Sequence, residues 1–108
     1  MPTHEQKIDR IIKQLKERRS TKPVSLKKKA VSHEVPKPSD QRHSDEKIDL
    51  SDLNEILHID TEKRVCVAEP GVTFVGLVTA TMKYSLVPII VPELRTITIG
   101  GAIAGCSI

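Results

Sequence analysis

The chain has 108 residues and a formal net charge of +3 at pH 7, which is unevenly distributed. Residues 1–46 hold 12 Lys and Arg against 7 Asp and Glu, whereas residues 47–108 hold 5 against 7. No aromatic side chain interrupts the basic half, and proteins that bind single strands need aromatic rings on which bases stack. We therefore expect no nucleic-acid binding.

The cysteines and the apolar runs limit which sites and which cellular compartment we expect. Cys66 and Cys106 are too few for a disulfide framework, and their spacing suits no zinc site. The first residues are charged and lack the apolar stretch of a secretory signal. The longest apolar run, 86–91, is far shorter than the roughly 20 residues of a membrane-spanning helix. We expect a cytoplasmic protein with no metal and no stable membrane anchor.

The N-terminal segment predicts an amphipathic helix over His4–Arg19. Apolar side chains recur at the three- and four-residue spacing of one helix face, at Ile8, Ile11, Ile12 and Leu15. Thr3 is placed to cap this helix, and Gln6 completes the spacing of a capping box. We assign residues 1–22 to this helix, docked on the rest of the protein.

Residues 23–46 are predicted to be a connector rich in Pro, Lys and Ser. Pro36 and Pro38 remove backbone donors and favour an extended path. Within the connector, the short apolar run 31–35 predicts either an edge strand or a loop.

From residue 47 the apolar pattern becomes regular. Ile48–Leu50 predicts a short strand. Two alternating apolar runs, 55–59 and 64–68, flank the polar turn 60–63 and predict a β-hairpin. Because both faces of the hairpin are largely apolar, we expect its strands to lie in a sheet that is covered on both sides.

A Glu-Pro-Gly turn at residues 69–71 is expected to end the hairpin, because proline cannot continue a central ladder. Thr73 is placed to cap a helix over Phe74–Lys83. Its inward residues are expected to be Phe74, Leu77, Val78 and either Thr81 or Met82. The run Leu86–Val91 predicts a further strand.

A glycine-rich segment follows that strand and contains Gly100, Gly101 and Gly105. Glycines after a strand and before a helix expose peptide N–H groups to phosphate. The N–H groups of Ile99, Gly100 and Gly101, with the hydroxyl of Thr98, are candidate phosphate donors. A glycine turn that packs against a helix is the alternative. The predicted fold class is α+β, in the order βββ–α–β followed by a Gly-rich loop.

Three segments in this order and spacing resemble a known family: Ile48–Asp60, Ala68–Val72, and Pro92–Leu94 leading to Thr98–Gly101. Together they resemble the PCMH-type FAD-binding domain of the p-cresol methylhydroxylase/vanillyl-alcohol oxidase superfamily. The last of them is most similar to the delta-24 sterol reductase-like branch. The resemblance implies that residues 47–108 form the N-terminal half of such a domain.

The resemblance also implies an FAD site. The residues implied to line its pyrophosphate and ribityl region are Thr98, Ile99, Gly100, Gly101, Ala102, Ile103, Ala104, Gly105, Cys106, Ser107 and Ile108. The superfamily's other phosphate loop corresponds to about residues 29–38, which contain no glycine, and there Ser32 and His33 can contact phosphate. Since the chain lacks an Arg-Gly-Gly-His arrangement, we expect FAD to be bound non-covalently.

Two functions remain open at this stage. The first is the FAD-binding portion of a flavin-dependent oxidoreductase, in which hydride passes through flavin N5 and, in the sterol reductase-like branch, a C=C bond is reduced. The resemblance then implies a truncated N-terminal fragment, inactive alone, and no catalytic residue is identified. The second is a non-catalytic module that binds an acidic partner through the basic residues of its helix: Arg10, Lys13, Lys16, Arg18 and Arg19.

Overall fold

The computed structural model describes residues 2–27 and 45–105. In chain order the elements are α1 (His4–Lys16), β1 (Val24–Lys27), β2 (Glu46–Asp49), β3 (Ile56–Asp60), β4 (Val65–Ala68), α2 (Phe74–Met82) and α3 (Ile99–Ala104). The strands form two two-stranded sheets, β1–β2 and β3–β4. The predicted α+β class is confirmed for these residues, and the strand or loop predicted at 31–35 lies outside them.

Helix α1 begins as predicted. Thr3 accepts a hydrogen bond from the N–H of Gln6, and the Gln6 side chain accepts one from the N–H of Thr3. The helix ends at Lys16 rather than at Arg19. Past its end, the Arg18 side chain donates to the Glu46 carboxylate at 2.5 Å and so ties the departing chain to β2.

The inward face of α1 differs from the prediction. Lys7 is buried, whereas Ile12 and Leu15 are 43% and 46% exposed. Polar side chains make the contacts with the rest of the protein, since Gln14 donates to the Lys47 carbonyl and Arg10 to the Asp49 carbonyl. The apolar periodicity therefore located the helix but did not identify the side that docks.

Strands β1 and β2 are parallel, with Val24 opposite Glu46 and Lys27 opposite Asp49. The sequence pattern predicted no strand at Val24–Lys27, yet this segment pairs with β2. Parallel neighbours require a long crossover, so local pattern cannot identify the partner. Ile48 of β2 is almost fully buried.

The hairpin β3–β4 is confirmed. Its strands are antiparallel, and their register shifts between Ile56 and His58. The expectation of a sheet covered on both sides is not met among residues 2–27 and 45–105, where the sheet has two strands and Val65 and Val67 are 53% and 49% exposed. Only the side bearing Cys66 packs against the core.

Helix α2 contributes Phe74 and Leu77 to the core. Thr73 caps it by accepting a hydrogen bond from the N–H of Gly76, as predicted. Its buried residues are Phe74, Leu77 and Thr81, whereas Met82 is 60% exposed. The core cluster joins α2 to α3 and consists of Val72, Phe74, Leu77 and Ala102.

The strand predicted at Leu86–Val91 is wrong. The segment has no regular secondary structure, and the Ile89 side chain is fully exposed. A strand needs a neighbour, and β3 and β4 pair only with each other. Pro88 also lacks the N–H that a ladder would use.

A pair of glycine substitutions tests the close contact between Gly71 and Leu53. A Cβ at Gly71 would lie 2.3 Å from the Leu53 carbonyl oxygen, whereas one at Gly76 would meet Thr73 Oγ1 at 3.4 Å, an ordinary contact. We expect Gly71→Ala to lower the free energy of unfolding by about 1–3 kcal/mol. Gly76→Ala, in an exposed helix position, should leave it unchanged or raise it by up to about 1 kcal/mol. Urea denaturation measures both, and equal values for the two variants would contradict the structure.

Candidate functional site

The turn Glu69–Val72, here called the Glu-Pro-Gly turn, connects β4 to α2 and lies at the centre of the site. The N–H of Glu69 donates to the Glu55 carbonyl at 2.9 Å, and the N–H of Gly71 donates to the Leu53 carbonyl at 2.6 Å. The N–H of Val72 closes the turn by donating to the Glu69 carbonyl at 3.1 Å. The turn is thus held from one side by residues 53–55.

The Glu69 carboxylate lies beneath this turn, and its side chain is fully buried. Lys7 Nζ and the N–H of Glu55 both donate to Glu69 Oε1 at 2.9 Å. His4 Nδ1 lies 2.7 Å from Glu69 Oε2, and the Glu55 carboxylate lies 3.4 Å from Lys7 Nζ. We call these four residues the Glu69 cluster. It joins α1 to the Glu-Pro-Gly turn across more than sixty positions of sequence.

The cluster keeps its buried groups charged. Burial by itself would raise the pKa of the Glu69 carboxyl, but the hydrogen bonds from His4, Lys7 and Glu55 and the charge of Lys7 outweigh burial and lower that pKa. The hydrogen bond to Glu69 is the main reason why the pKa of Lys7 is raised, in spite of burial. Near neutral pH, the ion pair is therefore intact.

Helix α3 starts against the other side of the Glu-Pro-Gly turn. The N–H of Ile99 donates to the Val72 carbonyl at 2.9 Å, and the N–H of Gly100 donates to the Pro70 carbonyl at the same distance. Thr98 caps the helix, since its Oγ1 accepts a hydrogen bond of 3.0 Å from the N–H of Gly101. The segment predicted as a Gly-rich loop is therefore a short helix docked on a turn.

This docking uses the groups that were predicted to bind phosphate. The N–H groups of Ile99, Gly100 and Gly101 all donate within the chain, and the buried Thr98 hydroxyl is the helix cap. In this conformation each of the three N–H groups has a protein acceptor, and Thr98 Oγ1 is itself the acceptor for Gly101, so the phosphate-donor role stays a prediction.

Gly100 is required for close packing. A Cβ at this position would lie 2.7 Å from the Cβ of Pro70 and 3.1 Å from its carbonyl oxygen. The alternative prediction for this segment was a glycine turn that packs against a helix. Gly100 does allow close packing, but it lies in helix α3 and packs against the turn at Pro70.

The predicted contact between FAD and this segment depends on the outer side of α3, which is accessible. Ala102 faces the core and has no exposed surface, whereas Ile103 is 65% exposed and Ala104 and Gly105 are exposed. Ile103, Ala104 and Gly105 therefore form an accessible apolar surface, on which the predicted contact with FAD depends. The other predicted contacts lie outside the described residues: Ser32, His33, Cys106, Ser107 and Ile108.

A concavity of about 570 Å³ lies at the end of the hairpin away from the Glu-Pro-Gly turn. It is lined mainly by apolar side chains of β3, β4, α2 and residues 85–89. Two non-glycine residues of the described part of the chain have positive φ, Arg64 at 57° and Ser85 at 60°, and both line this concavity. It shares no lining residue with the Glu-Pro-Gly turn or α3.

The basic residues of α1 were predicted as a possible surface for an acidic partner. Arg10 donates instead to Asp52 at 2.8 Å, and Arg18 is paired with Glu46. Together with buried Lys7, these two cations hold the helix on its own domain. Lys13, Lys16 and Arg19 are exposed.

Sequence reasoning missed the role of the Glu69 cluster. Glu69 and Pro70 were expected only to shape the turn, and Lys7 was not singled out. A signal was present, because His4, Lys7, Ile11 and Gln14 recur at helical spacing and share the side that docks.

Within the described ranges, the structure has neither a group of metal-ligating side chains nor a membrane-spanning helix. Residues 2–27 and 45–105 contain no group of three or more His, Cys, Asp or Glu side chains that could hold a metal ion. Within the same ranges, no helix has the length and apolar character needed to cross a membrane.

Comparison with known proteins gives one match. A family model described as an FAD binding domain matches the chain over residues 1–108. No curated protein and no solved structure matches the chain. The family match includes α1 and the Glu69 cluster as well as the glycine segment.

The cap of α3 can be tested by substitution. Thr98→Ala removes the acceptor for the N–H of Gly101 and should lower the free energy of unfolding by about 1 kcal/mol. Thr98→Ser retains the hydroxyl and should change it by much less. Urea denaturation gives the stability, and amide exchange at Gly101 reports the cap itself. Equal stability and equal exchange in the two variants would contradict the assigned cap.

The Glu69 cluster predicts a dependence of stability on pH. A carboxyl whose pKa is lowered by folding stabilises the protein above its unfolded pKa, and this stabilisation is lost as pH falls through the folded pKa. We expect the free energy of unfolding to decrease as pH falls below about 4, the ordinary range of a glutamate. The variant Lys7→Met/Glu69→Gln should show a shallower decrease in acid. An unchanged acid slope in this variant would contradict the assignment.

Proposed function

The chain belongs to the FAD binding domain family, of the PCMH type, and from this premise we propose that it holds the FAD of a flavin-dependent oxidoreductase. The observation that carries the proposal is the docking of α3. Its first turn is fixed on the Glu-Pro-Gly turn by the hydrogen bonds of Ile99 and Gly100, while its outer side is uncovered.

The role of the described residues is to bind and orient the cofactor. Ile103, Ala104 and Gly105 offer a small apolar surface against which FAD can pack, on a helix that is fixed at its N-terminal end. We assign the diphosphate contacts to the predicted residues Ser32, His33 and Ser107. This assignment follows because the first-turn N–H groups of α3 already have acceptors in the protein.

FAD, when bound, would supply hydride transfer through flavin N5. We propose that it is held non-covalently, since the segment around His33 lacks the Arg-Gly-Gly-His arrangement associated with the phosphate loop of this superfamily. The similarity of residues 91–101 to the delta-24 sterol reductase-like branch supports reduction of a C=C bond as the reaction. The pairing of Arg10 and Arg18 within the chain argues against the alternative, a basic module for an acidic partner.

A binding experiment tests this proposal. FAD added to the purified protein should lose fluorescence as it binds. Gly100→Ala forces α3 away from Pro70 and should weaken binding by about tenfold, equivalent to ~1.4 kcal/mol. Gly76→Ala, which adds a methyl group without a clash on α2, is the matched control and should bind as the unmodified protein does.

Two results would count against the proposal. Absence of saturable FAD binding by the unmodified protein would overturn it, and equal affinity in the two glycine variants would overturn the assigned site. Acid precipitation of the loaded protein tests the mode of binding. The flavin should remain in the supernatant, and a flavin that precipitates with the polypeptide would contradict non-covalent binding.

A further inference from the structure

The Glu69 cluster is more elaborate than a turn requires. A β-strand can lead into a helix through an exposed turn, yet here a fully buried carboxylate receives donors from two separate parts of the chain. The two α1 groups, His4 and Lys7, are 65 and 62 positions away from Glu69 in the sequence. Burying a carboxylate and an ammonium is costly unless they are paired and hydrogen-bonded, so this arrangement calls for an explanation.

A continuous set of contacts leads from this cluster to the glycine segment. Glu69 is followed directly by Pro70, whose carbonyl accepts the N–H of Gly100 and whose ring leaves no space for a Cβ there. Two residues further on, the Val72 carbonyl accepts the N–H of Ile99. A shift of the Glu-Pro-Gly turn must therefore either move the first turn of α3 or break both hydrogen bonds.

Lys7 determines whether Glu69 can stay in place. Without the ammonium group, the buried carboxylate would lose its charge partner and one of its donors. A buried charge left unpaired is strongly destabilising, and the group would then turn towards water. Because Glu69 is part of the turn, its exit would displace Pro70 and, through it, Gly100.

From these contacts we propose that Lys7 and Glu69 are positioning residues of the FAD segment, so that helix α1 is a functional part of the cofactor site. The inference rests on the proposed function and deepens it, since the family match assigns no role to either residue. The ion pair acts through the Glu-Pro-Gly turn on Ile99 and Gly100. Neither side chain touches the outer surface of α3 where FAD is placed.

Three variants test the proposal. Lys7→Met leaves the Glu69 carboxylate without its cation. Lys7→Met/Glu69→Gln removes both charges while the introduced amide oxygen can still accept from the N–H of Glu55. Lys13→Gln is the matched control, because it removes an exposed positive charge from the same helix and leaves the Glu69 cluster and the Arg10 contacts intact.

The first measurement needs no cofactor. Amide hydrogen exchange reports local opening residue by residue, and a change in overall stability would speed exchange across the core together. In Lys7→Met, exchange at Ile99 and Gly100 should accelerate about tenfold relative to the β3–β4 amides, the size of a typical coupling between sites. The double variant should restore most of the protection, and Lys13→Gln should leave it unchanged.

The second measurement is FAD affinity by fluorescence quenching. Lys7→Met should weaken binding by about tenfold, and the double variant should recover most of the affinity. Uniform acceleration of exchange across the core, or unchanged exchange at Ile99 and Gly100, would overturn the inference. If Lys7→Met does not fold, His4→Ala takes its place, since it removes the other α1 partner of the Glu69 carboxylate. Acceleration confined to Ile99 and Gly100 supports the positioning role, and uniform or absent acceleration overturns it.

The two proposals fail separately. Equal FAD affinity in all variants would overturn the positioning role while leaving the FAD-binding function in place. An unmodified protein that binds no FAD would overturn the function and the positioning of FAD with it, and selective loosening of Ile99 and Gly100 in Lys7→Met would then show the mechanical coupling alone.

Discussion

The carboxylate of Glu69 lies under the turn that joins the hairpin to α2, and three N–H donors from α1 and from residue 55 converge on it. Three parts of the molecule meet at this point: the N-terminal helix, the start of β3 and, through Pro70, the start of α3. Core burial here is small, with few fully buried apolar side chains among the described residues. In a small core, a fully satisfied buried ion pair gives orientation that apolar contact alone would not.

The docking of α1 follows the same chemistry. Its inward side presents Lys7 and Gln14 to a carboxylate and a carbonyl, and Arg18 just past its end pairs with Glu46. Ile12 and Leu15 are largely exposed. The positive charge that dominates the N-terminal half is therefore used in part to hold the helix on its own domain. A charge count on the sequence overstates the cations that a partner could meet, because long basic side chains can turn inward wherever an acceptor is present.

The glycine segment illustrates how a motif acquires a different physical meaning in the fold. Glycines after an apolar run suggested free N–H groups for phosphate, but Gly100 is needed for contact with Pro70, and the N–H groups of Ile99 and Gly100 bind carbonyls of the turn. The chain belongs to the FAD binding domain family. Its helix α3 is fixed at the N-terminal end by hydrogen bonds to the turn, while its outer side is exposed. This arrangement leaves the outer side of α3 accessible, and the proposed contact with FAD depends on that surface.

The features that the sequence determined by itself are local ones: the caps at Thr3 and Thr73, the β3–β4 hairpin and the turn that ends it. Each depends on residues within a few positions of one another, where spacing alone specifies the hydrogen bond. The tertiary structure decided the pairing of β1 with β2, the absence of a strand at 86–91, the inward side of α1 and the burial of Glu69. These depend on partners that lie far apart in sequence, because a strand needs a neighbour and a buried charge needs a counterion, and neither requirement is visible in local periodicity.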